Sequence, residues 1–590
     1  MAKRIPYGIS DYAEIMKSNF YYVDKTQFIE TVESSSRFLF LIRPRRFGKS
    51  LWINLMKSYY DINNTSKFDL LFGQTYIGQH PTNERNSYLL LSFNFSAVNP
   101  DLNDVKLSFE KHCSKSFDSF NTAYRSLLGE EYMSNYPKND LVESKIEYIT
   151  NSCKEKGLSI YLFIDEYDNF TNTILSQHGN LKYADITHGN GFFRMFFNKL
   201  KLATTDQNAS LKKIFITGVS PVTLDDVTSG FNIAKNITTD AIFNSIIGFT
   251  EPEVITMLNY YKSEGMVHEP IENLLVIMRE WYNNYCFSGN KTSQKMFNSD
   301  MVLYFMDNYL SHGSVTKDLI DNNVKIDYSK LRHLIILDKK VNGNFSTIKK
   351  IAEDGEIRTN IVSSFPAEKL IDRDNFVSLL YYFGILTIDR IENDNLVLSV
   401  PNLTIRAVLF SYLVEGFSEA NIFNLENMSL SEMAEKMAYY GDWLPFFNYF
   451  SEQIYKQTSV RDFIDGEKTV QMFHLVYLNS ANYFIVHSEA EMGKGFVDLW
   501  LQPNFILRPN MKHCYIVELK YVPRSQEAEV KNPTSALVQK LTADANEQLQ
   551  RYAVDSKIQA AKGKTTLHLL RVIYCGWEMV SCEELMQETN

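Results

Sequence analysis

With 590 residues the chain exceeds what one hydrophobic core can organise, and about three domains are the expectation. Its 45% hydrophobic and 14% aromatic content excludes a disordered chain. A formal net charge of -10 excludes a global electrostatic attraction to nucleic acid, so any such contact has to come from local patches.

The chain opens with Pro6-Tyr7-Gly8-Ile9-Ser10-Asp11-Tyr12 and Tyr21-Tyr22-Val23-Asp24-Lys25-Thr26, followed by a short amphipathic helix from Gln27 to about Glu33. Phe38-Leu39-Phe40-Leu41-Ile42 is a continuous apolar run that suits a strand buried on both faces. It leads straight into Arg43-Pro44-Arg45-Arg46-Phe47-Gly48-Lys49-Ser50, and a helix is expected from Leu51 to Tyr60. Strand, loop, Gly-Lys-Ser and helix form the context that a phosphate-binding loop needs. Gly48 would let the backbone approach the phosphates, Lys49 would meet the β- and γ-phosphates and Ser50 would hold magnesium, with the helix N-terminus adding its dipole. Arg43 stands where the motif has its first glycine; it would strain the loop or add a cationic phosphate contact beside Arg45 and Arg46. A basic turn capping a helix is the alternative reading.

Tyr88 to Phe95 reads as a second strand and 104–153 as helices crossing over. The apolar strand Leu158 to Ile164 then ends in Asp165-Glu166-Tyr167-Asp168, which would put Asp165 where it can hold magnesium and Glu166 where it can activate an attacking water. Lys213 to Pro221 is a further strand ending in polar residues, with Thr217 where a γ-phosphate sensor would sit; a satisfied hydroxyl is the plainer account of that threonine. Alternating strands and helices imply a parallel sheet with its ligand at the strands' carboxyl ends.

The texture changes at Gly248. Thr250 reads as a helix N-cap with Glu253 at the capping-box position. Helical stretches run to about Tyr309. Phe376 to Ile388, an Asn/Asp turn at 393–395 and Leu396 to Val400 give a helix, a strand, a turn and a second strand, as in a winged helix. That turn carries Glu392 and Asp394 and no basic residue, which favours a packing role over contact with DNA. A boundary is expected near Asn427, before a helix from Leu430 to Tyr440 capped by Ser429 with Glu432 at the capping-box position. The expected domains are therefore 1–247, 248–426 and 427–590.

In the last of these, Glu467 opens a helix-like run and Tyr483 to His487 reads as a strand. Phe496 to Leu501 and Tyr515 to Lys520 are two more, joined by a turn-rich segment in the manner of a hairpin. Side chains two apart on a strand share a face, which sets Glu518 beside Lys520, and an antiparallel neighbour could bring Asp498 opposite them. Three charges among apolar neighbours need a reason, because an unpaired buried charge is costly. A divalent cation between Asp498 and Glu518 would supply it, helped by the Leu519 carbonyl, with Lys520 left to orient a water or offset charge developing on a phosphate. A surface ion pair on a hairpin is the alternative. Gln548 and Tyr552 follow on one face of a helix expected from Ala543 to Val554, and a last strand is expected from Thr566 to Trp577.

The carboxyl-terminal pattern, Asp498, Glu518-Leu519-Lys520 and Gln548 to Tyr552, with its element order, resembles the PD-(D/E)XK nuclease superfamily and its RecB-type branch. The Pro-Tyr-Gly-Ile-Ser-Asp start, Tyr-Val-Asp-Lys-Thr and Arg-Pro-Arg-Arg-Phe-Gly-Lys-Ser resemble a bacterial AAA-ATPase-like family often fused to such a nuclease, in which an arginine at the first glycine position is common. The resemblance implies an α/β protein with a P-loop NTPase sheet, a helical and winged-helix middle and a restriction-endonuclease-like carboxyl-terminal domain. It implies ATP and Mg2+ as cofactors, nucleic acid as partner with DNA favoured over RNA, and a part in phage defence or mobile-element biology. In that reading Asp498 and Glu518 hold the metal, Lys520 positions the water, and Gln548 and Tyr552 orient the substrate strand or the metal site. Glu467 and Glu491 are candidate further acids. A nucleotide-operated switch or protein remodeller whose nuclease-like domain only recognises a partner is the rival reading. Six cysteines without a Cys-x-x-Cys pair, no signal-like apolar segment at the start and no run of about 18 apolar residues lead to the expectation of a cytoplasmic protein with no membrane partner. Assembly into a homo-oligomer stays open, because an arginine finger cannot be assigned from one chain.

Overall fold

The computed structural model describes residues 2–223, 233–290, 294–324, 336–337, 340–341, 343–419, 422–457, 466–481, 483–492 and 495–585. It divides into two compact units: residues 1–315, 319–334 and 358–403 form the first, and 316–318, 335–357 and 404–590 the second. The stretch 248–426, expected as a middle region, is thus shared between them.

The first unit is built on a five-stranded parallel sheet. Its strands are β1 (Phe38–Ile42), β2 (Leu89–Asn94), β3 (Ile160–Asp165), β4 (Leu211–Gly218) and β5 (Lys235–Asn236), in the spatial order β2-β3-β4-β1-β5. Every residue of β1 and β3 is buried, as continuous apolar runs covered on both faces require. Placing β4 between β1 and β3 brings the loop after β1 beside the acids that end β3. Helix α1 (Lys49–Tyr60) follows that loop and starts two residues earlier than expected. Gly48 caps it at φ 92°, a left-handed conformation that glycine adopts without strain.

Helix α2 (Glu251–Ser263) begins with the expected Thr250 and Glu253 capping box. Helix α3 (Ser299–His312) has Asn298 as its N-cap. The expected helix and hairpin are present as α4 (Arg373–Tyr382), β6 (Thr387–Glu392) and β7 (Asn395–Ser399), with Asn393 and Asp394 both at positive φ in the turn. Gly384, at φ 79°, lies against Pro44: a Cβ there would come within 2.8 Å of the proline ring. This element therefore packs against the loop that precedes α1.

The second unit holds a mixed sheet in simple sequence order: β8 (Phe484–Met492), β9 (Gly495–Pro503), β10 (His513–Val522), β11 (Thr566–Cys575) and β12 (Glu578–Glu584). The pair β10 and β11 is parallel and the other three pairs are antiparallel. Helix α5 (Glu467–Ser480) precedes the sheet, and α6 (Ala536–Ala553) crosses between β10 and β11, as a parallel pair demands. Leu549 and Tyr552 of α6 bury against Val497, Trp500, Ile516 and Leu569. Tyr574, on the opposite parity of β11 from Leu569, hydrogen-bonds His474 of α5, so the two helices cover opposite faces. A further boundary differs from expectation. The helix read as starting at Leu430 begins at Asn427, and Ser429, expected as its cap, lies inside it and donates to Glu426. N-cap preference alone does not fix a start when a neighbouring acid can accept the serine's hydrogen bond.

Candidate functional site

In the first unit a cavity of about 460 Å³ opens where β1 runs into α1. Its lining includes Arg45, Phe47, Gly48, Lys49, Ser50 and Glu166, together with Gly8, Ile9, Tyr22 and Val23 from the amino-terminal segment. The loop's own groups satisfy one another. The Lys49 ammonium donates to the Arg43 and Pro44 carbonyls at 2.9 and 2.8 Å, and burial pushes its pKa down to about 8. The Ser50 hydroxyl donates to Asp165 Oδ2 at 2.7 Å, and the Thr217 hydroxyl to Oδ1 of the same carboxylate at 2.6 Å. Glu166 follows at φ 50°, a strained value for a residue with a side chain. Asn169 holds its carboxylate at 2.6 Å. Burial raises the Glu166 pKa against the opposing pull of Lys49.

The arginines of the loop divide three ways. Arg43 is fully buried and takes no part in lining the cavity. Its guanidinium donates to the carbonyls of Ile42, Thr238 and Phe243 and stacks over the Phe287 ring at 4.2 Å. The expected phosphate contact is corrected accordingly: an arginine that replaces glycine here points into the protein and fastens the loop from behind. Arg45 lines the cavity, and its charge acts on both Lys49 and Glu166. Arg46, at φ 67°, also lines the cavity and pairs with Asp300 at 2.8 Å and Asp321 at 3.2 Å. Phe47 is buried edge-on to Tyr285 and Phe287.

Sequence reasoning assigned no role to Asp168. It is fully buried and accepts from the backbone amides of Val219 and Ser220 and from Asn172, which ties the end of β4 to the loop after β3. Its place in an acidic run after a strand was the available signal.

In the second unit Asp498 and Glu518 come together as expected. The β9 and β10 register pairs Leu499 with Val517, and Asp498 and Glu518 follow next along their strands, close enough that the charge of Glu518 acts on Asp498. Asp498 Oδ2 accepts from the Leu519 amide at 2.7 Å, and Lys520 Nζ donates to Glu518 Oε1 at 2.7 Å. Glu518 Oε2 is buried with no hydrogen-bond partner among the described residues. Burial, then the charge of Glu518, pushes the Asp498 pKa well above the ordinary carboxylate range. Burial raises that of Glu518 too, against the pull of Lys520. Burial works against the Lys520 ammonium, but the acids around it outweigh burial and raise its pKa.

An orphaned buried carboxylate oxygen beside a second raised carboxyl is the electrostatic environment that a divalent cation would relieve, and the donors are all hard oxygens. The residues present therefore fit the expected metal. Among the described residues no three His, Cys, Asp or Glu side chains are arranged as a metal cluster, so such an ion would rest on two carboxylates and the Leu519 carbonyl.

Around this pair, Gln471 of α5 donates to the Asp498 carbonyl at 2.7 Å, and Glu467 accepts from the Tyr521 amide at 3.2 Å. Sequence reasoning missed Gln471, whose only signal was a polar residue in the largely apolar stretch Val470 to Leu478. Tyr552, expected to orient substrate or metal site, has its ring in the core, and its hydroxyl donates to the Phe496 carbonyl at 2.8 Å. A buried ring cannot touch a substrate strand; Tyr552 fixes the strand that carries Asp498. Gln548 lies one turn earlier on α6 and is partly exposed. The side chain of Glu491 lies outside the described residues.

Residues 6–228 match the family model described as a predicted AAA-ATPase, and residues 465–584 match the PD-(D/E)XK nuclease superfamily. A curated relative, an uncharacterised protein in the vnfD 5' region of Azotobacter chroococcum mcd 1, is 25% identical over 306 residues. The match covers 51% of this chain, which spans about half (52%) of that relative's length. Among solved structures, the ORC2 protein of Aeropyrum pernix in its ADPNP-ADP complexes superimposes with a TM-score of 0.30 at 11% identity, over 69% of this chain and 97% of that one. The ORC1 protein of the same organism in complex with DNA gives 0.26 at 9%, over 68% and 96%. Superpositions at these scores carry no argument. No described helix is long and apolar enough to cross a membrane.

Proposed function

We propose, on the premise that this chain joins an AAA-ATPase-like domain to a PD-(D/E)XK nuclease superfamily domain, that it binds and hydrolyses ATP and cuts nucleic acid with a divalent cation. The observation that carries the nuclease half is the buried oxygen of Glu518, without a partner among the described residues, close to Asp498 and with Lys520 beside it. Asp498, Glu518 and the Leu519 carbonyl would hold Mg2+, which when bound supplies charge neutralisation at a phosphodiester and a more acidic water. Lys520 is a charged donor beside the acids, suited to aligning that water or the phosphate oxygen. Tyr552 and Gln471 keep the strand carrying Asp498 in place.

In the ATP half, the triphosphate would take over the Lys49 ammonium from the Arg43 and Pro44 carbonyls. Ser50 and Asp165 would hold Mg2+ there, Thr217 would report on the γ-phosphate through Asp165, and Glu166 would draw the proton from the attacking water. Arg45 is placed to face phosphate, and the apolar lining of Ile9, Tyr22 and Val23 suits the base. DNA is the favoured substrate, and a part in defence or mobile-element biology rests on the family resemblance alone.

The test is incubation of the full chain with single- and double-stranded DNA and with RNA under Mg2+ or Mn2+, with and without ATP. Cleavage by the wild type, lost at least about a hundredfold in Lys520→Ala, supports the reading. Absence of cleavage on every substrate, with ATP hydrolysis intact, would favour the nucleotide-operated switch.

A further inference from the structure

The carbonyls that hold the Lys49 ammonium, those of Arg43 and Pro44, belong to the peptides on either side of the Pro44 ring. One ammonium therefore pins that ring from both flanks. Arg43 is fixed independently, because its guanidinium donates to the carbonyls of Ile42, Thr238 and Phe243 and stacks over Phe287. When a phosphate takes the ammonium, the freedom that results falls on Pro44.

Pro44 is buried, and its ring meets Gly384, which sits at φ 79° in the turn that ends α4. A Cβ on that glycine would lie 2.8 Å from both Cβ and Cγ of the proline and 3.4 Å from the Tyr285 ring. Non-bonded carbons settle at about 3.5 to 4.0 Å, so the proline ring occupies the space that a side chain would take.

The turn is held by its own backbone. The amides of Gly384 and Ile385 donate to the carbonyls of Tyr381 and Leu380 at 2.9 Å each, and the Leu386 amide to Leu380 at 3.3 Å. On either side of it, the Tyr381 hydroxyl donates to the Phe287 carbonyl at 3.1 Å, and the Thr387 hydroxyl accepts from the Cys286 amide at 2.7 Å. The element is thus anchored around a turn whose packing includes the Pro44 ring. Its last strand, β7, ends at Ser399, and the second unit takes over the chain at Thr404.

We propose that α4, β6 and β7 read the nucleotide state of the phosphate-binding loop through the contact of Pro44 with Gly384. An empty loop keeps Lys49 on the two carbonyls and Pro44 seated on the turn. A triphosphate draws Lys49 away, unseats Pro44 and loosens the turn. This rests on the ATP reading of the same cavity and adds its regulation. The helix and hairpin, left with a packing role by the acids at their turn, gain a part in the nucleotide cycle. They are also the last part of the first unit before the chain passes to the nuclease-like one.

The experiment follows backbone hydrogen exchange in the full chain, nucleotide-free and saturated with a non-hydrolysable ATP analogue and Mg2+, with binding measured by calorimetry. A bound ligand slows exchange across the unit it stabilises. The peptide spanning 383–388 should instead exchange at least about threefold faster, while the peptide spanning 237–244, beside the anchored Arg43, does not speed up. Pro44→Ala should show the faster exchange at the turn without nucleotide and gain nothing further when nucleotide binds. Unchanged or slowed exchange at 383–388 with nucleotide bound, equal acceleration at 237–244, or a nucleotide response that survives Pro44→Ala would overturn the proposal and leave the ATP reading standing. A chain that binds no nucleotide loses both.

Discussion

In the amino-terminal cavity Lys49 rests on the carbonyls of Arg43 and Pro44, and both oxygens of Asp165 are occupied by the hydroxyls of Ser50 and Thr217. In the carboxyl-terminal site one oxygen of Glu518 has no partner among the described residues, and Asp498 is held well above its ordinary pKa by burial and by its neighbour. Both sites set acids near a lysine, yet only the first settles its own charges. A self-satisfied site must exchange internal hydrogen bonds for those of a ligand, which favours reversible occupancy. A frustrated one gains stability from its ion as well as function.

The sharpest way to break the comparison is Glu166→Gln. If the first site works by exchange, removing the carboxylate leaves the Lys49, Ser50 and Asp165 bonds intact. Nucleotide binding should then persist within a few-fold while hydrolysis falls about 10²- to 10⁴-fold. Calorimetric titration and phosphate release on one preparation check it, and parallel losses of binding and turnover would show that Glu166 supports the loop instead.

Next in size is the response of the second site to pH and to metal removal. The folded-state pKa of Asp498, raised to about 8, exceeds the ordinary 3.8 of an unfolded chain, so between those values the folded protein binds the extra proton. Its stability contribution is therefore present at low pH and is lost as pH rises through about 8. In EDTA the melting transition of this unit should fall between pH 6 and pH 8.5, Mg2+ should recover it most at the higher pH, and Asp498→Asn should flatten both trends. A melting curve that ignores Mg2+ at pH 8.5 would remove the contrast drawn between the two sites.

Arg43 tests the other side. Removing its guanidinium leaves the Thr238 and Phe243 carbonyls buried without their donor and the Phe287 face bare. Arg43→Ala should cost about 3 kcal/mol by urea unfolding, with nucleotide affinity of the folded protein changed only a few-fold. A large loss of affinity at unchanged stability would restore the phosphate contact that the sequence invited.

Arg43 also marks where the sequence was illegible. The strand, Gly48, Lys49 and Ser50 are local features, and an apolar run followed by a glycine and a helix predicts its own geometry. Whether the arginine between them faces ligand or core depends on Thr238 and Phe243, some two hundred residues away, and no local pattern encodes them. The same holds for Gly8, Ile9, Tyr22 and Val23, quoted from the sequence as part of a resemblance and found lining the cavity. In the second unit the two-residue period placed Glu518 and Lys520 side by side, and the antiparallel pairing brought Asp498 to them. Period alone could not tell that Tyr552 faces inward while Phe496 faces water, since both are aromatic residues in amphipathic elements.

Tyr552 gives the smallest expected effect and the finest discrimination. Its ring is core, and its hydroxyl donates to the Phe496 carbonyl and accepts from Arg551, so Tyr552→Phe keeps the packing and removes the tether to the strand. That should cost about 1 kcal/mol of stability, the net worth of a typical hydrogen bond. Because the tethered strand carries Asp498 two residues on, cleavage should fall several-fold through kcat, with KM for a single strand little changed. Were Tyr552 instead a substrate contact, KM would rise and kcat would hold. The split between the two constants decides whether the residue acts on the nucleic acid or on the strand that positions the acid.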